Sequence, residues 1–212
     1  ALFINPTLTN IKHLPAISGY ADKSTGDEFD KYLELSGYKL DDFEKWAMVV
    51  DHETYYMKFN GRSKFFEDLL IPDENTFKII ESMYNNIQEE SKKVEIAVKK
   101  YTKIKSINDF KLLRINRQTV GDWGYASSKI TRIAHELIDT PRITLSEMSD
   151  GFSYRCDGVD FSGVDLIKIL KDKFPHAMVN GGGHDVAGSI RFNIASYDEI
   201  MNYVLYYLEN IK

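Results

Sequence analysis

Apolar residues in the first half of the chain recur at steps of three and four, the spacing of a helix that buries one face. Between residues 77 and 101 this pattern predicts one long helix, interrupted by Ser91 and begun by Asp73 as its N-cap. Its apolar positions are Phe77, Ile80, Tyr84, Ile87, Val94, Val98 and Tyr101. We expect this stripe to be a packing face. Any part of it left exposed would pair two copies of the chain as a homodimer.

From about residue 107 the pattern changes to short apolar segments that alternate with helical ones. The predicted strands are residues 110–115, 142–145 and 152–156, the last two joined by a turn at 149–151. The predicted helices follow Ser127, cover residues 164–174, and begin at a capping box over residues 196–199. This alternation predicts an α/β fold with a mixed sheet.

A run of three glycines carries the strongest chemical signal. The run consists of Gly181, Gly182 and Gly183, is followed directly by His184 and lies between two apolar segments. Ala187 and Gly188 follow shortly after. Because glycine has no Cβ, such a loop can adopt positive φ and bring backbone amides to the oxygens of a ligand. The competing interpretation is a flexible connection that leads into a strand.

The Gly-Gly-Gly-His run followed by Ala-Gly resembles the motif of the DHH-associated type 1 (DHHA1) domain, the C-terminal substrate-binding half of RecJ-like DHH phosphoesterases. Asp185 stands where the family often has proline. The resemblance implies that the three glycines and His184 contact substrate. It also implies that Arg155, in the Ser-Tyr-Arg run that ends there, offers phosphate a permanently charged fork. Without the resemblance, Arg155 reads as a surface arginine on a half-exposed strand.

Ser127 and Ser128 open a predicted helix after a glycine-containing segment. The resemblance places this helix beside the nucleotide site, and a helix N-terminus with free amides and hydroxyls suits an anion. The same serines also suit ordinary helix capping.

One metal ligand is implied by the resemblance. The segment that ends in Ala21 and Asp22 resembles the RecJ-group segment carrying the last metal-binding aspartate, which assigns Asp22 to manganese in the parent enzyme. The Asp-x-Asp and Asp-His-His elements of the family do not occur, so the chain is expected to be an incomplete and inactive part of a larger enzyme. Residues 51–53, Asp-His-Glu, fall within a helical pattern and are expected to be a solvated charged face.

The implied organisation has three parts. Residues 1–37 are expected to be the tail of a DHH catalytic domain, residues 38–106 a helical linker, and residues 107–212 a DHHA1-like substrate-binding domain. The implied function is to bind an end of single-stranded DNA or RNA for a RecJ-like, manganese-dependent phosphodiesterase or exonuclease. The alternative is a catalytically inactive RecJ-like replication scaffold that binds helicase-associated proteins. Alanyl-tRNA synthetases carry a related domain, but His184 argues against that assignment.

Composition limits the kinds of partner that the chain is expected to bind. The net charge of −5 argues against nucleic-acid binding over the whole surface and leaves a local groove. The chain has one cysteine, Cys156, so it forms no internal disulfide, and no apolar run approaches the ~20 residues of a membrane span. We therefore expect a cytoplasmic protein without membrane contact.

Overall fold

The computed structural model describes residues 11, 13–21, 26–55, 63–121 and 127–211. The chain divides into two compact units, Ala1–Lys92 and Lys93–Lys212. The described helices that begin in the first unit are α1 (His13–Ala21), α2 (Asp27–Ser36), α3 (Leu40–Tyr55), α4 (Ser63–Leu70) and α5 (Glu74–Tyr101), and α5 continues into the second unit.

Local signals at their ends explain where these helices begin and stop. Gly26 precedes α2, and the acidic residues of its first turn interact favourably with the helix dipole. Gly37 ends α2 in the left-handed conformation, with φ 75°. Asp73 is the N-cap of α5 as predicted: its Oδ1 accepts the N–H of Thr76 at 2.8 Å. The helix contributes Ile80 and Ile87 to the core of the first unit.

The apolar stripe of α5 is mostly buried, which confirms that it is a packing face. The buried positions on it are Ile80, Ile87, Val94 and Val98. Tyr101, at the end of the helix, is exposed.

The prediction of a solvated face at residues 51–53 was wrong for Glu53. Asp51 is exposed and His52 is half-buried, but the Glu53 side chain is only 1% exposed. The cause is helical spacing: Glu53 follows buried Trp46 and Val49 at steps of three and four, so it shares their face of α3. His52 Nδ1 lies 3.8 Å from Glu53 Oε1.

The second unit is built on a six-stranded sheet. Its strands are β1 (Lys103–Ile107), β2 (Phe110–Asn116), β3 (Arg142–Met148), β4 (Gly151–Asp157), β5 (Asn180–His184) and β6 (Ala187–Arg191). Its further helices are α6 (Arg117–Val120), α7 (Ser127–His135), α8 (Gly163–Lys173) and α9 (Tyr197–Glu209). The strand order is β1-β2-β3-β4-β6-β5, with β2 and β3 parallel and the other neighbours antiparallel, so the predicted mixed α/β fold is confirmed.

One face of this sheet forms the hydrophobic core of the second unit. Three alternate residues of β4, Phe152, Tyr154 and Cys156, belong to a buried cluster that also contains residues of α8 and α9. Burial raises the pKa of the Cys156 thiol, which therefore stays protonated.

Two local features differ from the sequence prediction. Strand β1 was missed because it is an exposed edge strand in which only the last residue, Ile107, is buried, so it shows no apolar alternation. The capping box was also wrong: Ser196 makes no side-chain cap bond to α9. The chain already turns as a 3-10 helix over Ile194–Ser196, where Asn193 Oδ1 accepts the N–H of Ala195 at 3.0 Å.

The triple glycine is not the connecting loop that was predicted. It lies within β5, at the edge of the sheet, and pairs residue by residue with β6. Among its glycines only Gly183 has a φ, 129°, that strongly favours glycine. All five residues of β5 pair with β6, and that backbone pairing makes the segment a strand.

Candidate functional site

The strand register places two of the site candidates, Arg155 and His184, on one face of the sheet. Arg155 of β4 pairs with Ala187 of β6, which pairs with His184 of β5. Directly opposed residues of antiparallel strands point to the same side, so the three side chains form a row. Arg155 and His184 therefore flank Ala187 across two strand spacings, about 10 Å.

A second row lies beside the first on the same face. Ser153 of β4 pairs with Ser189 of β6, which pairs with Gly182 of β5. A Cβ built on Gly182 would meet nothing within 4 Å. We call the surface formed by Arg155, Ala187, His184, Ser189 and Gly182 the open face.

The other two glycines of the run serve packing and backbone geometry. A Cβ on Gly181 would lie 2.6 Å from the carbonyl oxygen of Ser189 and 2.9 Å from Ile167 of α8. A Cβ on Gly183 would lie 2.5 Å from the carbonyl oxygen of Ala187. In addition, the N–H of Gly181 already donates to Asn180 Oδ1 at 2.9 Å. Gly182 is thus the glycine of this run whose missing side chain leaves space for a ligand.

The turn between β5 and β6 is fastened to the start of α8. Ser162 Oγ donates to Asp185 Oδ1 at 2.6 Å, and the N–H of Gly163 donates to the carbonyl of Asp185 at 2.8 Å. Ser162 also caps α8, because its Oγ accepts the N–H of Asp165 at 3.1 Å. The Asp185 carboxylate, where the DHHA1 motif often has proline, is therefore held at a helix N-terminus, which stabilises its charge.

Tyr154 fixes the backbone beneath His184. Its hydroxyl donates to the carbonyl oxygen of His184 at 2.8 Å. Burial, and secondly the charge of Asp185, raise the pKa of Tyr154, so the hydroxyl remains a donor. His184 is exposed and projects from an anchored backbone.

Among the described residues, no side chain forms a hydrogen bond or an ion pair with the guanidinium of Arg155, which is half-buried. By contrast, Arg142 lies 3.7 Å from Asp157, and Arg191 donates to Asp150 at 2.5 Å. A half-buried cation without a partner gains most from a phosphate or carboxylate ligand.

His135 borders this site and was not identified from the sequence. It lies at the end of α7, is 5% exposed, and its Nδ1 is 2.9 Å from Thr144 Oγ1. Burial, followed by the charges of Arg142 and Arg155, lowers the pKa of His135 from its ordinary 6.5 to about 4. The imidazole is therefore neutral at pH 7.

The remaining predicted site residues are placed in part. Ser127 and Ser128 begin α7, as expected. Asp22 lies outside the described residues. Across the ranges that are described, no group of three or more His, Cys, Asp or Glu residues could hold a metal ion.

The chain is similar to known proteins in both sequence and fold. No family model matches the chain. The uncharacterized protein MJ1198 of Methanocaldococcus jannaschii is 25% identical over 248 aligned positions, which cover all of this chain and 32% of MJ1198. The DHH domain of PF0399, a member of the s1p family of ribosomal proteins, superposes with a TM-score of 0.86 and 32% identity, over all of this chain and 53% of that one.

Two structures of RecJ from Thermus thermophilus share the fold at 12% identity. The complex with Mg²⁺ has a TM-score of 0.64 and the complex with Mn²⁺ 0.60, each over 98% of this chain. The chain has the fold of a RecJ-like DHH-family protein. The chain spans about a third of MJ1198 and about half of the PF0399 chain.

The glycine run, Arg155 and α7 all lie in the second unit. Within the ranges described, no helix has the length and apolar character that crossing a membrane requires.

Substitutions at Gly181 and Gly182 should separate folding from access to the open face. We expect Gly181→Ala to reduce the free energy of unfolding by about 1–3 kcal/mol, because its Cβ overlaps backbone and Ile167. Gly182→Ala should change stability by less than about 0.5 kcal/mol. Urea unfolding of both variants measures this difference. Equal losses would show that the assignment of the two faces is wrong.

The low pKa of His135 predicts acid sensitivity. Above about pH 6.5 the imidazole is neutral in both the folded and the unfolded state. Between pH 6.5 and 4 the unfolded state binds a proton that the folded state excludes, so stability should fall by about 1–2 kcal/mol as the pH falls, and then level off. Urea unfolding at pH 7, 5.5 and 4.5 tests this. His135→Gln should lose that part of the pH dependence, and an unchanged slope would contradict the assignment.

Proposed function

We propose that this chain is the part of a RecJ-like, metal-dependent phosphodiesterase or exonuclease that binds an end of single-stranded DNA or RNA. The observation that carries the proposal is the shared face of Arg155, His184 and Gly182. A cation, an exposed ring and an unoccupied surface lie side by side, which is the set of groups that one nucleotide requires.

Arg155 would hold the phosphate. Its guanidinium is permanently charged and can donate two parallel hydrogen bonds to phosphate oxygens. Neutral His135 brings no second positive charge beside it at pH 7. With so few cations in the site, binding should depend only weakly on salt compared with that of a protein covering many phosphates.

His184 would stack on a base or donate a hydrogen bond to it. The ring is exposed at the end of β5, while Tyr154 fixes the backbone below. Ala187 lies between His184 and Arg155, and Ser189 and Gly182 lie in the next row, so small residues let a planar group approach the sheet closely. Stacking of this kind tolerates any base, consistent with recognition of an end and not of a sequence.

We assign Ser127 and Ser128, at the start of α7, to a further phosphate contact, because the N-terminal amides of a helix suit an anion.

RecJ is known in complexes with Mg²⁺ and with Mn²⁺. We propose a divalent metal, manganese, for the parent protein, with Asp22 as one ligand. The proposed role of the chain is to bind and orient the nucleic acid.

The binding test uses three variants of the open face. His184→Ala should weaken binding of a short single-stranded oligonucleotide about 5- to 50-fold through lost stacking. Arg155→Lys should weaken it about tenfold, because lysine keeps the charge but not the bidentate contact. Gly182→Val should block approach while the fold, followed by circular dichroism, persists. Fluorescence anisotropy at fixed low salt measures the affinities.

His176→Ala is the matched control. His176 is also exposed, but it pairs with Glu199 at 2.9 Å and lies outside the open face. Its loss should leave the affinity unchanged. If Gly182→Val and His184→Ala both bind like the unmodified chain, the open face is not the nucleic-acid site.

A further inference from the structure

The first unit contains a cleft that plays no part in the proposed nucleic-acid site. It has a volume of about 280 Å³ and lies among α3, α5 and the residue Tyr38 that precedes α3. Three aromatic rings and three charged side chains line it. They are Tyr38, Trp46 and Phe77, and Asp42, Lys45 and Glu81.

The aromatic walls are held in place by contacts with one another. Trp46 and Phe77 stack with ring centroids 5.4 Å apart and planes 21° apart. Tyr38 meets Trp46 edge-on at 4.7 Å, and Phe43 meets it from the side at 5.4 Å. Trp46 is almost fully buried, whereas Tyr38 and Phe77 are half-buried. The rings therefore form rigid walls that lose little conformational entropy when a ligand enters.

The charges of the cleft favour a cation. Lys45 Nζ is bound to Glu81 Oε2 at 2.7 Å, so these two charges compensate each other. Asp42 accepts the N–H of Lys39 at 3.0 Å through one oxygen, and its second oxygen receives no hydrogen bond from the described residues. Together, Asp42, Lys45 and Glu81 give the lining of the cleft one net negative charge. It disfavours phosphate and distinguishes this cleft from the open face.

We infer that this cleft binds a cationic side chain, lysine or arginine, of a protein partner. The half-buried rings of Tyr38 and Phe77 attract an ammonium or guanidinium group, and the Asp42 carboxylate adds a charged acceptor. The methylene stem of such a side chain would lie against these rings, as long cationic side chains do on apolar surfaces. The volume suits one side chain, since it lies just below the about 300 Å³ at which small-molecule sites begin.

Tryptophan fluorescence can report on the cleft directly. The chain has two tryptophans, so Trp123→Phe leaves Trp46 as the sole reporter. The probes are blocked tetrapeptides that differ at one position, lysine against norleucine and arginine against citrulline. We expect the cationic peptides to change the Trp46 emission saturably and the neutral ones to bind at least about fivefold more weakly. Equal responses to cationic and neutral peptides would overturn the inference.

Two charge variants test the mechanism in opposite directions. Asp42→Asn keeps an acceptor for Lys39 but removes the charge, and should weaken the cationic peptides about three- to fivefold. Lys45→Met leaves Glu81 uncompensated and should strengthen them by a similar factor. Asp41→Asn, which removes a neighbouring charge of α3 outside the cleft, is the control and should have a smaller effect than Asp42→Asn.

The outcomes separate the alternatives. Thermal unfolding of each variant verifies that the fold persists, and a gain of affinity in Lys45→Met cannot come from loss of structure. If free butylammonium binds as tightly as the lysine peptide, the ligand is a small amine, and the inference of a protein partner is wrong. If an oligonucleotide shifts the Trp46 emission while the peptides do not, the cleft belongs to the nucleic-acid surface and the inference fails.

Discussion

The candidate site depends on the fastening of the β5–β6 turn to the start of α8. Asp185 is held there twice, by the hydroxyl of Ser162 and by the backbone N–H of Gly163. Tyr154 holds the neighbouring carbonyl of His184. These bonds fix an edge strand made largely of glycine, which would otherwise have little side-chain packing to hold it. The anchored turn thus sets the position of His184 relative to Arg155.

The two faces of the sheet leave different amounts of space for side chains along the glycine run. On the packed face, Gly181 approaches Ile167 and Gly188 approaches Tyr154, so neither has room for a side chain. On the open face, Gly182 meets nothing, and its absent side chain leaves surface for a ligand. Because strand residues alternate between faces, a run of glycines can serve both purposes at once. This alternation explains why the run contains one glycine whose role is not packing.

Helical spacing and the α/β alternation in the sequence predicted most of the fold. The α5 stripe, the β3–β4 hairpin and α8 follow from periodicity, because burial on one face imposes that pattern on the residues. Strand β1 and the strand character of the glycine run could not be predicted in this way. Both are edge strands, in which backbone pairing rather than side-chain burial decides the structure. The burial of Glu53 was missed because a carboxylate was taken as a surface residue despite its helical position.

The candidate site could be predicted only in part from the sequence. Arg155 and His184 could be named from a family resemblance, but their common face follows from the register of β4, β6 and β5. His135 could not be identified from the sequence, since its environment depends on how α7 packs against the following strand, where it contacts Thr144. Asp185 was identified as a departure from the family motif. Its engagement by Ser162 required the fold that brings the two residues together.

Binding of nucleic acid to the open face can be measured by titrating the ¹⁵N-labelled chain with a short single-stranded oligonucleotide and following the amide chemical shifts. We expect the largest changes at Gly182, His184 and Ala187, with Arg155 also shifted. Ile167 and the other residues of α8 beneath Gly181 should change little. Largest changes in α8 or α9, with the open-face amides unaffected, would contradict this assignment.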